Sequence, residues 1–297
     1  MIDYDPHAWH AHLLDIKGSM VREILARVLT CVGWSAVVVL AHLRYPWLIA
    51  PTTVHTLVGV ALGLLLVFRT SSSNDRYTEG RKLWGGIVNE CRSLNMAARV
   101  HLAGDPDLLA RVVLWTAAFP YSCMRALRSQ DGLGPPAGRL PEDEVRRALD
   151  SSHTPSSVAR EIALGLAEAR RRGSLNDPLH SVLEQNVQRL IDLIGGCERI
   201  RSTPLPFVYV VHLRRALILY CYTLPLALVD TYGWLTVPAT LLLAYTFFGI
   251  EEIGVEIEDP FGFDCNDLPL DQICAKIEAN LLTEPLPQLV EPAGAAA

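Results

Sequence analysis

Most signatures of an enzyme or a nucleic-acid-binding protein are missing from these 297 residues. The sequence has no GxSxG, HExxH or Walker A motif, and no glycine-rich dinucleotide fingerprint between a strand and a helix. We therefore expect no catalytic residue and no cofactor. Its 32 acidic residues outnumber its 26 Lys and Arg residues, which gives a net charge of −6. Nucleic acid is not an expected partner, because its phosphates would require a basic surface.

A secretory leader and a cysteine framework are also lacking. The first residues carry Asp3, Asp5 and three histidines, where a leader would show basic residues before an apolar core. None of the seven cysteines forms a CxxC pair, so neither a disulfide framework nor a zinc knuckle is indicated. His7, His10 and His12 could bind a metal, but no convincing further ligand stands nearby, and we predict no metal site.

Long apolar stretches are what the sequence does have. Half of its residues are hydrophobic, and they are concentrated in two places. From Ser35 to Phe68 the only formal charge is Arg44, and from Ala216 to Ile250 it is Asp230. Two membrane-like segments therefore flank one polar block.

Each apolar segment is interrupted once by a short polar turn. The individual apolar runs are shorter than the roughly 20 residues that cross a bilayer, but their weakly charged flanks extend them. The sequence thus predicts four transmembrane helices, two within 27–74 and two within 211–250. Buried hairpins of a soluble helical protein are the alternative interpretation.

Charge and aromatic residues predict the orientation of these spans. Of the Lys and Arg residues, only Arg44 falls in a predicted outer turn, which is the positive-inside pattern. Tyr45 and Trp47 lie in one outer turn, and Tyr232 and Trp234 lie in the other, as in an interfacial aromatic belt. Both termini are then cytosolic. The predicted cytosolic parts are residues 1–26, 75–210 and 251–297.

The polar block is predicted to be helical, so the fold class is all-α. Residues 75–103 continue the second span as a helix. Ser156 or Ser157 is the expected N-cap of one helix, which ends before Gly173. Asp177 is the expected N-cap of the next, with Pro178 at its first helical position. No strand signal is present.

The second span carries a regular apolar stripe. Val60, Leu64 and Phe68 recur every four residues and so share one helix face. Gly59 and Gly63 form an adjacent stripe that would let another helix approach closely. In a lone subunit the apolar stripe would be ordinary core packing, which the spacing alone favours. Around a symmetry axis it would instead form stacked rings that gate by dewetting.

An acidic group follows the fourth apolar run, between Glu251 and Asp271. It could hold a cation, but the spacing from Asp264 onward fails the EF-hand pattern. A solvated helix face, or a set of partners for arginines, is the favoured interpretation.

Three separated motifs resemble the bestrophin family, and its bacterial branch most closely. They are residues 68–85 (FRTSSSNDRYTEGRKLWG), 195–199 with 203–207 (GGCER, TPLPF), and 257–262 with 266–270 (IEDPFG, NDLPL). The resemblance extends over nearly the whole chain and includes the four spans. It implies a homopentameric ion channel in the inner membrane, with one axial pore and a large cytosolic vestibule. The implied partners are the lipid bilayer, permeating ions and further copies of the chain.

The resemblance also assigns pore residues. Val60, Leu64 and Phe68 match the apolar neck, which overrides core packing as the interpretation of that stripe. Pro178 or Leu179 matches the cytosolic aperture at the start of a helix. Animal bestrophins bind calcium at an uninterrupted acidic run, which is broken here within 262–267, so such gating is not expected. Bacterial relatives indicate monovalent cations such as sodium, with chloride as the alternative. A transporter and a scaffold are the other candidates.

Overall fold

A computed structural model describes residues 18–286, and every regular element in that range is a helix. The predicted all-α class is confirmed for this part of the chain. The predictions for His7, His10 and His12 lie outside it, as do residues 1–17 and 287–297 of the predicted cytosolic segments. The α-helices are α1 (Val21–Arg44), α2 (Thr52–His101), α3 (Pro106–Leu127), α4 (Glu142–Leu149), α5 (Thr154–Arg171), α6 (Asp177–Ser202), α7 (Phe207–Tyr232), α8 (Thr236–Glu256) and α9 (Leu270–Leu281).

The chain divides into two compact units, and the division falls within α2. The first unit comprises residues up to Tyr77, 204–259 and 264–267; the second comprises 78–203, 260–263 and 268 onward.

In the first unit, α1, α7, α8 and the first half of α2 pack around an apolar core. The core contains buried residues from all four helices, including Ile24, Leu62, Leu66, Leu217 and Phe248.

Among the described residues, three stretches are long and apolar enough to cross a membrane: Val21–Arg44, Thr52–His101 and Phe207–Glu256. The third contains both α7 and α8, separated by the short 3-10 turn Gly233–Leu235. Their most apolar windows are only 33%, 17% and 28% buried. Helices that hold most of their apolar side chains outward do not fit buried hairpins of a soluble protein.

The second unit is organised around α3. This helix is buried at every position from Val112 to Met124 and packs against α5 and α9. A Cβ at Gly165 of α5 would lie 2.8 Å from Val112 Cγ2, so glycine allows the close approach of these two helices.

Two predicted helix caps are wrong, one by three or four residues and the other by one. His153, and neither Ser156 nor Ser157, caps α5, because its Nδ1 accepts a hydrogen bond from the Ser156 backbone N–H at 3.1 Å. Asn176 caps α6, its Oδ1 accepting from the Leu179 N–H at 3.0 Å. Asp177 is therefore inside the helix. In both cases a polar residue earlier in the chain than the predicted one accepts the capping hydrogen bond. Residue preferences at N-caps alone do not decide between such nearby candidates.

Candidate functional site

The apolar stripe on α2 faces outward in the single chain. Val60, Leu64 and Phe68 are 71%, 57% and 57% exposed, whereas Leu62 and Leu66 on the opposite face are 2% and 1% exposed. The helix therefore buries one apolar face in its own unit and leaves a second one free. This exposure rules out core packing within one chain as the reason for the four-residue spacing.

The neighbouring glycine stripe is used at one position within the chain. A Cβ at Gly59 would lie 2.8 Å from the Tyr220 hydroxyl of α7, so glycine is needed for that approach. Gly63 has nothing within 4 Å of the same position. The predicted close approach of another helix is thus found at Gly59 and not at Gly63.

A buried ion pair lies directly after the stripe. Arg69 follows Phe68 and is 1% exposed, and its Nη2 donates to Glu258 Oε2 at 2.7 Å. A buried guanidinium without a carboxylate would be strongly unfavourable. The pair therefore fixes the rotation of α2 about its own axis at Arg69, the residue directly after the exposed apolar stripe.

Glu258 connects two further parts of the first unit. Its second carboxylate oxygen accepts from the Leu205 backbone N–H at 2.9 Å, just before α7. Its backbone carbonyl accepts from Arg76 Nε at 3.0 Å. The sequence analysis placed Glu258 in an acidic group without recognising this role, since nothing local distinguishes it from its acidic neighbours.

The acidic residues at the end of α8 are also paired with arginines. Glu251 and Glu252 are both buried. Arg27 of α1 lies 2.7 Å from Glu252 and 3.6 Å from Glu251, and Arg214 of α7 donates to Glu251 at 2.8 Å. These contacts agree with the interpretation of the acidic group as arginine partners.

The loop after α8 uses polar groups in hydrogen bonds within itself and to neighbouring segments of the first unit. Asp267 is buried and accepts from the Asp264 N–H at 2.7 Å. The Asn266 amide donates to Glu256 at 2.7 Å and to the Gly18 carbonyl at 3.2 Å. Within residues 18–286 no group of three or more His, Cys, Asp or Glu side chains is arranged to hold a metal ion.

The two aperture candidates lie at the start of α6 in the second unit. Pro178 is exposed, and Leu179 is partly buried with its N–H bonded to Asn176. Asp177 beside them is 77% exposed and pairs with Arg170 at 2.8 Å. Both side chains are near the surface of the single chain, so exposure does not choose between them.

Comparison with known proteins gives a consistent result. The family described as Bacterial/Fungal Bestrophin protein matches residues 1–283. A voltage-dependent anion channel-forming protein of Synechocystis sp. is 39% identical over 282 residues, which covers 93% of this chain and 91% of that protein. The Escherichia coli K12 voltage-dependent anion channel-forming protein YneE is 33% identical, covering 92% and 90%. A crystal structure of a bacterial bestrophin homologue from Klebsiella pneumoniae aligns with a TM-score of 0.84 at 33% identity, covering 88% of this chain and 97% of that one.

Proposed function

This chain belongs to the bacterial and fungal bestrophin family, and from that membership we propose that it forms an ion channel. The proposed channel is a homopentamer in the inner membrane with four spans per subunit. Its relatives are named channel-forming proteins, and no relative described above is an enzyme. The proposed membrane segments are 27–74 and 211–250, and the proposed cytosolic segments are 1–26, 75–210 and 251–297.

Exposed aromatic residues support the proposed membrane boundary. Tyr45 and Trp47 after α1, Tyr232 at the end of α7 and Trp234 before α8 are each about half exposed or more. Aromatic rings with a polar edge favour the level of the lipid headgroups. We propose that these four residues mark the outer surface of the bilayer.

The pore neck is proposed to consist of Val60, Leu64 and Phe68, and the observation that carries this is their shared exposed face on α2. Five copies around one axis would form three stacked apolar rings. Such rings offer an ion no charge or dipole in exchange for its water. Conduction then depends on whether the neck is wide enough to stay hydrated.

The cytosolic aperture is proposed at Pro178 or Leu179. Five α6 N-termini around the axis would bring partial positive charge to this ring. The Asp177 carboxylates beside it would offset that charge, and Arg170 would weaken the offset in turn. The aperture is therefore proposed as a narrow passage with a small net field.

Monovalent cations such as sodium are the proposed permeant ions. The acidic group between Glu251 and Asp271 supports cation selectivity less than its composition suggested, because Glu251 and Glu252 are neutralised by arginines. Asp230 at the end of α7 remains exposed, on the proposed outer side. Chloride is the second candidate, since the relatives are named anion channel-forming proteins.

Planar-bilayer recording of the purified chain tests both parts of the proposal. Replacing Val60, Leu64 and Phe68 together by Ala should raise unitary conductance, because it widens the apolar rings. Leu219→Ala and Leu242→Ala are matched controls, since both leucines are exposed on other helices of the first unit. Reversal potentials under asymmetric NaCl distinguish sodium from chloride. An unchanged conductance in the triple variant would contradict the assignment of these three residues to the pore neck. Saturable flux without unitary currents would indicate a carrier. The absence of any flux would indicate a scaffold.

A further inference from the structure

A cavity of about 300 Å³ in the second unit is lined by one face of α2, by α9 and by Leu268, which lies just before α9. Three of its lining residues are cations: Arg81, Arg92 and Lys276. No acidic residue between 18 and 286 lines it. Its volume is at the small end of the range for pockets that bind small molecules.

Within the part of the chain that the structure describes, no carboxylate neutralises the charge in this cavity. Arginines elsewhere in the unit have carboxylate partners, such as Arg99 with Glu284 at 2.9 Å and Arg199 with Glu79 at 2.8 Å. Among the described residues, none of the three cavity cations makes an ion pair with a carboxylate. Three cations around one concave surface favour an anionic ligand group.

The wall beside these cations is apolar. Trp84, Ile277 and Leu268 line the cavity and are at most 5% exposed. The indole N–H of Trp84 has no hydrogen-bond acceptor among the described residues. Buried donors are nearly always paired, so an unpaired one beside a cavity indicates a missing acceptor.

Gly85 keeps the cavity open. A Cβ at this exposed position would have no atom within 4 Å. Its neighbour Gly86 is different, because a Cβ there would lie 2.6 Å from Leu193 Cδ2, so packing explains that glycine. Glycine is unfavourable inside a long helix. Packing does not explain Gly85, whereas an occupied cavity would.

We propose that this cavity binds a small amphiphilic carboxylate. Its carboxylate would lie among Arg81, Arg92 and Lys276 and accept from the Trp84 indole N–H, and its apolar body would contact the Trp84 ring and Ile277. Arg81, Trp84 and Gly85 belong to the 68–85 motif, of which the proposed neck uses only Phe68. The site rests on the geometry of the second unit alone and does not depend on ion conduction.

Isothermal titration calorimetry on the full detergent-solubilised chain tests the site with 4-phenylbutyrate as the probe. We expect saturable binding that weakens as salt rises, because exposed charges are screened. The uncharged analogue 4-phenylbutyramide and inorganic phosphate should each bind at least tenfold more weakly. Equal binding of the amide would show simple apolar partition, and equal binding of phosphate would show a bare anion site; either result overturns the proposal.

Two kinds of variant localise the binding. Gly85→Leu should weaken 4-phenylbutyrate binding at least tenfold by filling the cavity, and Arg92→Gln should weaken it roughly two- to fivefold. Gly195→Leu and Arg146→Gln are the matched controls, since Gly195 is another open helical glycine and Arg146 another exposed arginine of this unit. Gly85→Ala, a smaller change, serves if the leucine variant fails to fold. Unchanged affinity in Arg92→Gln and in the Gly85 variant would contradict the proposal. So would dissociation of the oligomer by Gly85→Leu without loss of binding, which would mean that a second copy covers this face.

Discussion

The two units of this protein treat apolar residues in opposite ways. In the second unit, α3 buries every side chain from Val112 to Met124. In the first unit, the most apolar window of α2 is only 17% buried. This opposite exposure of apolar side chains indicates different surroundings: the second unit supplies its own apolar environment, whereas the first leaves an apolar surface suited to a membrane.

The two units also differ in where they place charge. Each described ion pair of the first unit has at least one buried partner, as with Arg69 in its pair with Glu258 and Glu251 in its pair with Arg214. Several pairs of the second unit are exposed on both partners, as at Arg147 with Asp143. A buried pair is sensitive to loss of one partner, whereas an exposed pair contributes little. Substitution of an apolar residue should therefore cost more stability in the second unit, and substitution of an ion-pair residue should cost more in the first.

The largest expected effect is on the core of the second unit. Phe119→Ala should lower the free energy of unfolding by about 3–5 kcal/mol, because the ring is fully buried and its removal leaves a cavity. Leu64→Ala on the exposed face of α2 should change it far less, and should act on conductance instead. Denaturant titration of the detergent-solubilised chain, followed by circular dichroism, measures both. Comparable losses for the two variants would mean that the exposed face is as tightly packed as the core.

Breaking the buried ion pair of the first unit should have the next largest effect. Glu258→Gln keeps the side-chain shape but leaves Arg69 buried without a counter-charge, which costs about 3 kcal/mol. Because Arg69 adjoins Phe68, the variant should also broaden the distribution of unitary conductances. Asp143→Asn removes the exposed partner of Arg147 and is the control. A Glu258→Gln variant as stable as the control would show that this pair is not needed to hold α2.

Much of the fold could be predicted from the sequence because its signals are local and strong. The helical continuation of the second apolar run into the polar block is confirmed, since α2 runs unbroken from Thr52 to His101. The end of α5 before Gly173 is confirmed as well, because that glycine has a positive φ of 79°. Apolar periodicity and glycine at a helix end require no knowledge of tertiary contacts.

The site was harder to predict because its residues act through distant partners. Spacing alone placed Val60, Leu64 and Phe68 on one face but favoured core packing. The family resemblance overrode that interpretation, and the exposure of the three side chains excludes it. Glu258 pairs with Arg69, 189 residues earlier, so no local pattern identified it. Gly85 did leave a signal: a glycine inside a long, uninterrupted helix needs a reason that secondary structure does not provide.

The smallest expected effect is a pH dependence in the second unit, where Glu144 is mostly buried beside Trp115 and Arg111. Burial raises the pKa of the Glu144 carboxyl, although the Arg111 guanidinium opposes the shift. A raised folded-state pKa means that the native state holds this proton more tightly than the unfolded state does. The stability it contributes is therefore complete below the unfolded-state pKa and is lost as pH rises through the folded-state pKa.

Neighbouring Asp143 should show the opposite slope. Its hydrogen bond from Arg147 lowers the pKa of the Asp143 carboxyl, so its contribution is present above the unfolded-state pKa and is lost as pH falls through the folded-state pKa. Thermal unfolding of the detergent-solubilised chain between about pH 3.5 and 6.5, a range that brackets the ordinary carboxyl pKa values, compares Glu144→Gln with Asp143→Asn. In the unsubstituted chain, Glu144 should lower stability by about 1 kcal/mol or less as pH rises, which is the size of a weak ion pair. This fall should be absent in Glu144→Gln. Asp143→Asn should remove only a smaller fall in the acid direction, because its side chain is exposed. If both substitutions removed a change in stability of the same sign with pH, burial would not dominate the pKa of Glu144. The contact between α3 and α4 in the second unit would then be open to water.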